Sequence, residues 1–199
     1  MIKNIVFDLG GVLIDFNEKN YLKKIGFNDD DVLFFSKILF HSSDWGDYNT
    51  SKYNLLETKN NLLKKYPTYT QKINFIFDNL DFKYILFEIQ DTAKYLIDLK
   101  KQNYNIFVLS DASKDCYEYF KKFEFLKFVD GALYSFEVGS NKPNGKNYTT
   151  LLNKYNLIPE ETIFIDDKLE NIEMSKKFNI HAILFTNLED LKNKILKLL

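Results

Sequence analysis

Phe7-Asp8-Leu9-Gly10-Gly11-Val12-Leu13-Ile14-Asp15, entered through Lys3-Asn4-Ile5-Val6, is the stretch whose reading decides the fold. The run Lys3–Leu9 is apolar without alternation, which marks a strand covered on both faces, as in a parallel sheet. It closes on a carboxylate, Asp8, and breaks at two glycines. Outward from it, three more runs share that character: Asn105–Ser110, Thr162–Ile165 and Ile180–Phe185, with a weaker candidate at Phe128–Tyr134. Helical patterns lie between them, over Phe87–Lys101, Ser113–Lys122, Gly145–Tyr155, Leu169–Phe178 and Leu188–Leu199. Strands alternating with helices of about 10–15 residues predict right-handed βαβ units, hence an α/β fold on a doubly wound parallel sheet.

The stretch 17–87 breaks this rhythm. It carries helical segments near Asn28–His41, Ser51–Tyr66 and Thr70–Asn79 and no convincing strand. A structureless loop of that length is improbable in a compact domain, so the segment is expected to be a helical insertion after the first strand. The expected organisation is an α/β core from 1–16 and 88–199, with 17–87 as a small helical cap.

Bulk properties narrow the function. A formal net charge of −1, with Lys spread among acids, gives no basic patch for nucleic acid or an anionic membrane. The chain contains no Arg, so any phosphate must be held by Lys and backbone N–H groups. The single Cys116 excludes an internal disulfide and a Cys-based metal site, which suits a reducing cytoplasm. Asp8 and Gly10-Gly11 interrupt the apolar N-terminus too soon for a signal peptide, and no run reaches the roughly 20 apolar residues of a membrane span. The expectation is a soluble cytoplasmic protein.

In open α/β sheets, ligands bind beyond the carboxyl ends of the strands. At those ends stand Asp8, Ser110-Asp111 and Asp166-Asp167, while Lys142-Pro143 precedes a helix. Asp8, Asp166 and Asp167 converge only if the first and fourth strands are neighbours. Three carboxylates brought together repel unless a hard cation binds them, and an all-oxygen set suits Mg²⁺. Ser110, Lys142 and strand-end N–H groups could then hold a phosphate. His41 and His181 fall on none of these positions and read as structural, whereas Trp45, with Asp44 and Tyr48, is a candidate pocket wall.

In order and spacing, these positions resemble the four motifs of the haloacid dehalogenase (HAD) superfamily. Phe7–Asp15 is similar to the first motif, in a variant common among helical-capped members. Leu109-Ser110-Asp111 resembles the second, Gly139–Pro143 the third, and Phe164-Ile165-Asp166-Asp167 with Asn171 the fourth. Within the insertion, Gly46–Tyr53 is similar to the cap segment of bacterial alpha-glucose-1-phosphate phosphatase-like proteins. The resemblance implies a Rossmann-like core of strand order 3-2-1-4-5 and a Mg²⁺-dependent phosphohydrolase acting on a small phosphorylated metabolite. It makes Asp8 the nucleophile of an aspartyl-phosphate intermediate. The Gly10 carbonyl, Asp8, Asp167 and Asp166 (directly or through water) become metal ligands. Ser110, the Asp111 N–H and Lys142 become phosphate contacts, with Lys142 neutralising charge on the transferred group.

Two departures shape the expectation. Where most phosphatases of this family place an acid/base Asp two residues after the nucleophile, this chain has Gly10, as do some relatives of the glucose-1-phosphate type. A positioned acid contributes roughly 10²–10⁴ in rate, so its loss should matter least for a stabilised leaving group. Asp111 stands where the family usually has Asn, and its carboxylate could partly replace that acid. The leading function is hydrolysis of a sugar phosphate through a long-lived aspartyl phosphate. The alternatives are a catalytically weak binder of phosphorylated metabolites or partners, and a phosphomutase. A receiver domain is rejected because its acidic pair comes first in the chain. A metal-free dehalogenase is disfavoured because Asp166-Asp167 would place uncompensated charge beside the nucleophile.

Overall fold

Every residue of Asn4–Phe7 is buried, so the strand they form has no solvent face and belongs at the middle of a sheet. The computed structural model describes residues 1–198. Among them, the strands in chain order are β1 Asn4–Phe7, β2 Ile14–Phe16, β3 Leu86–Glu88, β4 Asn105–Ser110, β5 Gly131–Tyr134, β6 Thr162–Asp166 and β7 His181–Leu184. Five of them form one parallel sheet in the order β5-β4-β1-β6-β7. Counted along the chain, that is the expected order 3-2-1-4-5. Its switch point lies at β1, between β4 and β6, so the carboxyl ends of these three strands open one crevice.

Successive residues of β1 serve opposite faces, as the strand period demands. Ile5 and Phe7 join a core cluster with Leu96, Leu99 and Leu191, while Val6 packs with Phe164, Tyr148 and Leu151 on the other face. Each such fully buried side chain contributes about 1.5–3 kcal/mol. The first cluster continues without a break into 17–87 through Leu22, Phe35, Leu39 and Trp45. The inserted helices therefore share apolar packing with the sheet.

The structure corrects the reading of 17–87 at one end: Leu86–Glu88 is a strand. It pairs antiparallel with β2, Ile14 opposite Glu88 and Phe16 opposite Leu86. Each partner is three residues long, too short for a hydrophobic period to register. Helices Glu18–Lys24 and Ser43–Asn49 were likewise unforeseen, being seven residues each. The helix expected near Ser51–Tyr66 begins only at Leu55, because Asn54 caps it in a reciprocal capping box with Glu57. The helix expected over Asn28–His41 is Asp29–Phe35, continued by a π-helical turn at Ser36–Phe40. The C-terminal helix spans Leu188–Leu196, and Leu199 lies outside the described residues. No helix among the described residues is long and apolar enough to cross a membrane.

Candidate active site

The register of the sheet builds the site. Phe7 lies opposite Ile165 on β6, so the next residues along, Asp8 and Asp166, emerge side by side at the carboxyl edge. The Asp8 N–H donates to the Ile165 carbonyl at 2.9 Å and holds that alignment. Beyond Asp8 the chain turns tightly, with the amides of Leu13 and Ile14 donating back to the Leu9 carbonyl at 2.8 and 2.7 Å. Gly11 adopts φ +73°, and a Cβ there would overlap the Asp167 carboxylate. Glycine is required at 11 on both counts. Gly10 differs: nothing lies within 4 Å of where its Cβ would stand. A small open space thus stands two residues after Asp8.

One oxygen each from Asp8, Asp166 and Asp167 lies within 4.8 Å of the others. Lys142, itself buried, reaches into this group, its Nζ 2.7 Å from Asp8 Oδ2 and 2.5 Å from Asp166 Oδ2. The other Asp8 oxygen accepts the Leu9 N–H at 2.7 Å. Asp166 is the most committed of the three carboxylates. Its Oδ1 accepts the Lys168 N–H at 2.8 Å, and the Asn171 amide donates to both oxygens at 3.0 Å. It therefore also ties down the start of helix Leu169–Lys176. Asp167 is exposed and faces the crevice.

The electrostatics follow from this crowding. Burial pushes the Asp8 carboxyl up to about 8, with Asp166 and Asp167 adding to the rise and Lys142 opposing it. Burial and the Asp166 charge raise Asp167 as well. Burial alone would lower the Lys142 ammonium, but Asp8, Asp166 and Asp111 outweigh it and hold the proton firmly. Two buried carboxylates and the exposed Asp167 share one ammonium, which leaves carboxylates in excess of cations at the crevice. An all-carboxylate donor set of this kind matches what a hard divalent cation takes.

The expected role of the Asp111 carboxylate as a replacement acid meets a geometric obstacle. Its two oxygens accept the Lys142 backbone N–H at 3.0 and 3.2 Å, and Asn147 approaches Oδ1 at 3.5 Å. The carboxylate is turned onto the loop that presents Lys142. Ser110, buried at the end of β4, joins Asp111 in the wall.

These groups open into a cavity of about 300 Å³. Its floor includes Asp8, Gly10, Ser110, Lys142 and Asp167, and the inserted segment supplies Phe40, His41, Trp45 and Asn49. Of Trp45, Asp44 and Tyr48, considered together from the sequence, Trp45 lines the cavity. Asp44 instead pairs with Lys65 at 2.5 Å, and the Tyr48 hydroxyl donates to Asp115 at 2.6 Å. His41, read from the sequence as structural, lines the cavity. It lies on no motif, and its position depends on a contact with Glu18, 23 residues away.

With the site described, the comparisons with known proteins agree on its class. A family model for haloacid dehalogenase-like hydrolase matches residues 2–179. The chain belongs to the haloacid dehalogenase-like hydrolase family. It is 24% identical to a D-ribitol-5-phosphate phosphatase of Bacteroides thetaiotaomicron, over 92% of this chain and 91% of that protein. Among solved structures, a HAD family enzyme of the same organism, in complex with magnesium and inorganic phosphate, superposes with TM-score 0.73. Its identity is 19%, over 98% of this chain and 99% of the other. A predicted HAD-like family hydrolase from Porphyromonas gingivalis gives TM-score 0.71 at 22% identity, covering 100% and 98%.

Proposed function

We propose that the protein is a Mg²⁺-dependent phosphohydrolase that cleaves a small phosphate monoester, a sugar or polyol phosphate, through an aspartyl-phosphate intermediate. The observation that carries this reading is the convergence of Asp8, Asp166 and Asp167 beside the buried Lys142 ammonium at the cavity. Asp8, the Gly10 carbonyl, Asp167 and, directly or through water, Asp166 would hold the cation. Bound there, Mg²⁺ supplies charge neutralisation for the phosphoryl oxygens.

Asp8 is prepared for attack. The Leu9 N–H and Lys142 each hold one of its oxygens, so its rotamer is set before substrate arrives. As an Asp8 oxygen bonds to phosphorus, the ester P–O bond breaks and the leaving oxygen takes up a proton to depart as the alcohol. Water then attacks phosphorus, phosphate leaves, and the Asp8 carboxylate is restored. Ser110 and the Asp111 N–H would hold phosphoryl oxygens, and Lys142 would offset their charge. Asp111 acts as a positioning residue, because its carboxylate fastens the Lys142 amide.

We read 17–87 as a cap closing on a core of 1–16 and 88–199. Its contacts suit a latch: Ser135 Oγ donates to the Asn49 carbonyl at 2.7 Å and Tyr48 to Asp115. Closure of such an element excludes water during the first transfer. The cavity size and the Trp45 and Phe40 walls fit a small polyol face, which the phosphatase relative supports. Gly10 sustains a second reading, a weak enzyme that chiefly binds phosphorylated metabolites. A panel of phosphorylated sugars and polyols with Mg²⁺ separates the two. Turnover that disappears in Asp8→Asn establishes the hydrolase, and binding without turnover establishes the second reading.

A further inference from the structure

Breaking an ester P–O bond leaves an alkoxide that needs a proton, so the cavity must be searched for a donor. Lys142 is locked between Asp8 and Asp166, and the Asp111 carboxylate is occupied by the Lys142 amide. The Cys116 thiol is pushed up to about 12 by burial and is a poor donor at neutral pH. Gly10 contributes no side chain and leaves open space two residues after Asp8. Asp15, whose carboxylate accepts from Asn17, and Lys168 also line the cavity, and so does His41.

His41 is held in an unusual way. Glu18 is buried in the inserted segment, where an unpaired carboxylate would be costly. It accepts from Ser36 Oγ at 2.6 Å and lies 3.1 Å from His41 Nε2. Ser36 and His41 bracket the π-helical turn Ser36–Phe40, closed by the His41 N–H donating to the Ser36 carbonyl at 3.2 Å. Such turns widen a helix by one residue and recur at functional sites. Here the turn brings Ser36 and His41 onto one carboxylate and leaves the imidazole at the cavity, its side chain 60% exposed. A buried carboxylate holding one ring nitrogen fixes the ring and frees the other for a ligand.

We infer that His41, oriented by Glu18, is the catalytic acid of this enzyme and donates a proton to the leaving-group oxygen. The inference rests on the phosphohydrolase reading above. In the first step the Asp8–phosphorus bond forms, the ester P–O bond breaks, and the proton passes from the imidazolium to the departing oxygen. In the second, neutral His41 takes a proton from the attacking water as phosphate leaves Asp8, which restores the imidazolium. Glu18 is a positioning residue that touches no reacting atom.

The test compares an alkyl phosphate, whose leaving group needs a proton, with p-nitrophenyl phosphate, whose leaving group does not. His41→Gln should lower kcat/KM on the alkyl ester by about 10²-fold and leave the aryl ester within about threefold. Glu18→Gln should show the same selectivity, and adding it to His41→Gln should cost little more, because the two act as a unit. Equal losses on both esters, or none, overturn the acid role while leaving the hydrolase intact. If the wild-type protein turns over neither ester with Mg²⁺, the phosphohydrolase reading itself falls and this role with it. His41 is exposed and its removal opens no cavity, so the variant is expected to fold, which a thermal melt checks.

Discussion

Replacing Lys142 by Met probes the charge balance of the site while leaving Asp8 itself in the chain. The ammonium is buried and lies 2.7 Å from Asp8 and 2.5 Å from Asp166. Removing one partner of a buried ion pair costs about 3–5 kcal/mol, because the remaining charge is left uncompensated. Here two carboxylates are left behind with Asp167 nearby, so the upper part of that range applies. For a chain of this size 1 kcal/mol corresponds to about 2–4 °C, so about 4–5 kcal/mol predicts a Tm lowered by roughly 8–20 °C in chelator. The pH dependence has a definite sign. In the wild type Asp8 ionises near pH 8, and without Lys142 its proton is held more tightly. Between those two values the variant's native state binds the extra proton, so its stability falls faster and the gap widens as pH rises through about 8. Mg²⁺ at a hundredfold excess over its Kd stabilises a binding species by about 2.7 kcal/mol, so the gap should narrow by the amount the variant gains beyond the wild type. The assay is thermal unfolding by circular dichroism at pH 6 and pH 8.5, with chelator and with Mg²⁺. A variant as stable as the wild type in chelator at both pH values would refute the reasoning.

Further predictions follow from the glycines and from Asp111. Because the space at Gly10 is open, Gly10→Asp should fold normally and, introduced into His41→Gln, restore kcat/KM on alkyl phosphates by about tenfold or more; steady-state kinetics on a poor leaving group checks it, and no recovery counts against an acid being limiting in that variant. Gly11→Ala meets both a positive φ and the Asp167 carboxylate, so it should cost about 1–3 kcal/mol and weaken Mg²⁺ binding, read by a melt and by Mg²⁺ titration of activity. Asp111→Asn keeps only one carbonyl-type oxygen for the Lys142 amide and should slow aryl and alkyl esters alike, whereas selective loss on the alkyl ester would return the acid role to Asp111.

The sheet was legible because its strands are unbroken apolar runs, and such runs are what two-sided burial selects. Asn105–Ser110 appears at its predicted bounds, and Thr162–Ile165 gains only Asp166. Once strand ends were located, so were the polar residues at them, and parallel neighbours place Asp8 beside Asp166. What escaped were features without a period or with distant causes. The three-residue pairing of Ile14–Phe16 with Leu86–Glu88 carries no local signal, nor does the π-helical turn at Ser36–Phe40. Glu18 and His41 look like ordinary helix-surface residues until the fold brings them together over 23 positions. The Asp111 carboxylate could be placed near the pocket from its motif, but its direction depends on the loop at Lys142.

The most direct test is to find phosphate on Asp8 itself. The protein is mixed with Mg²⁺ and an activated phosphate ester, quenched in acid, reduced with borohydride and digested, and the N-terminal peptide is read by mass spectrometry. The expected result is a modification at Asp8 that requires Mg²⁺ and substrate and is absent from Asp8→Asn. Turnover that persists in Asp8→Asn, or an unmodified Asp8 in an enzyme trapped during turnover, would contradict it.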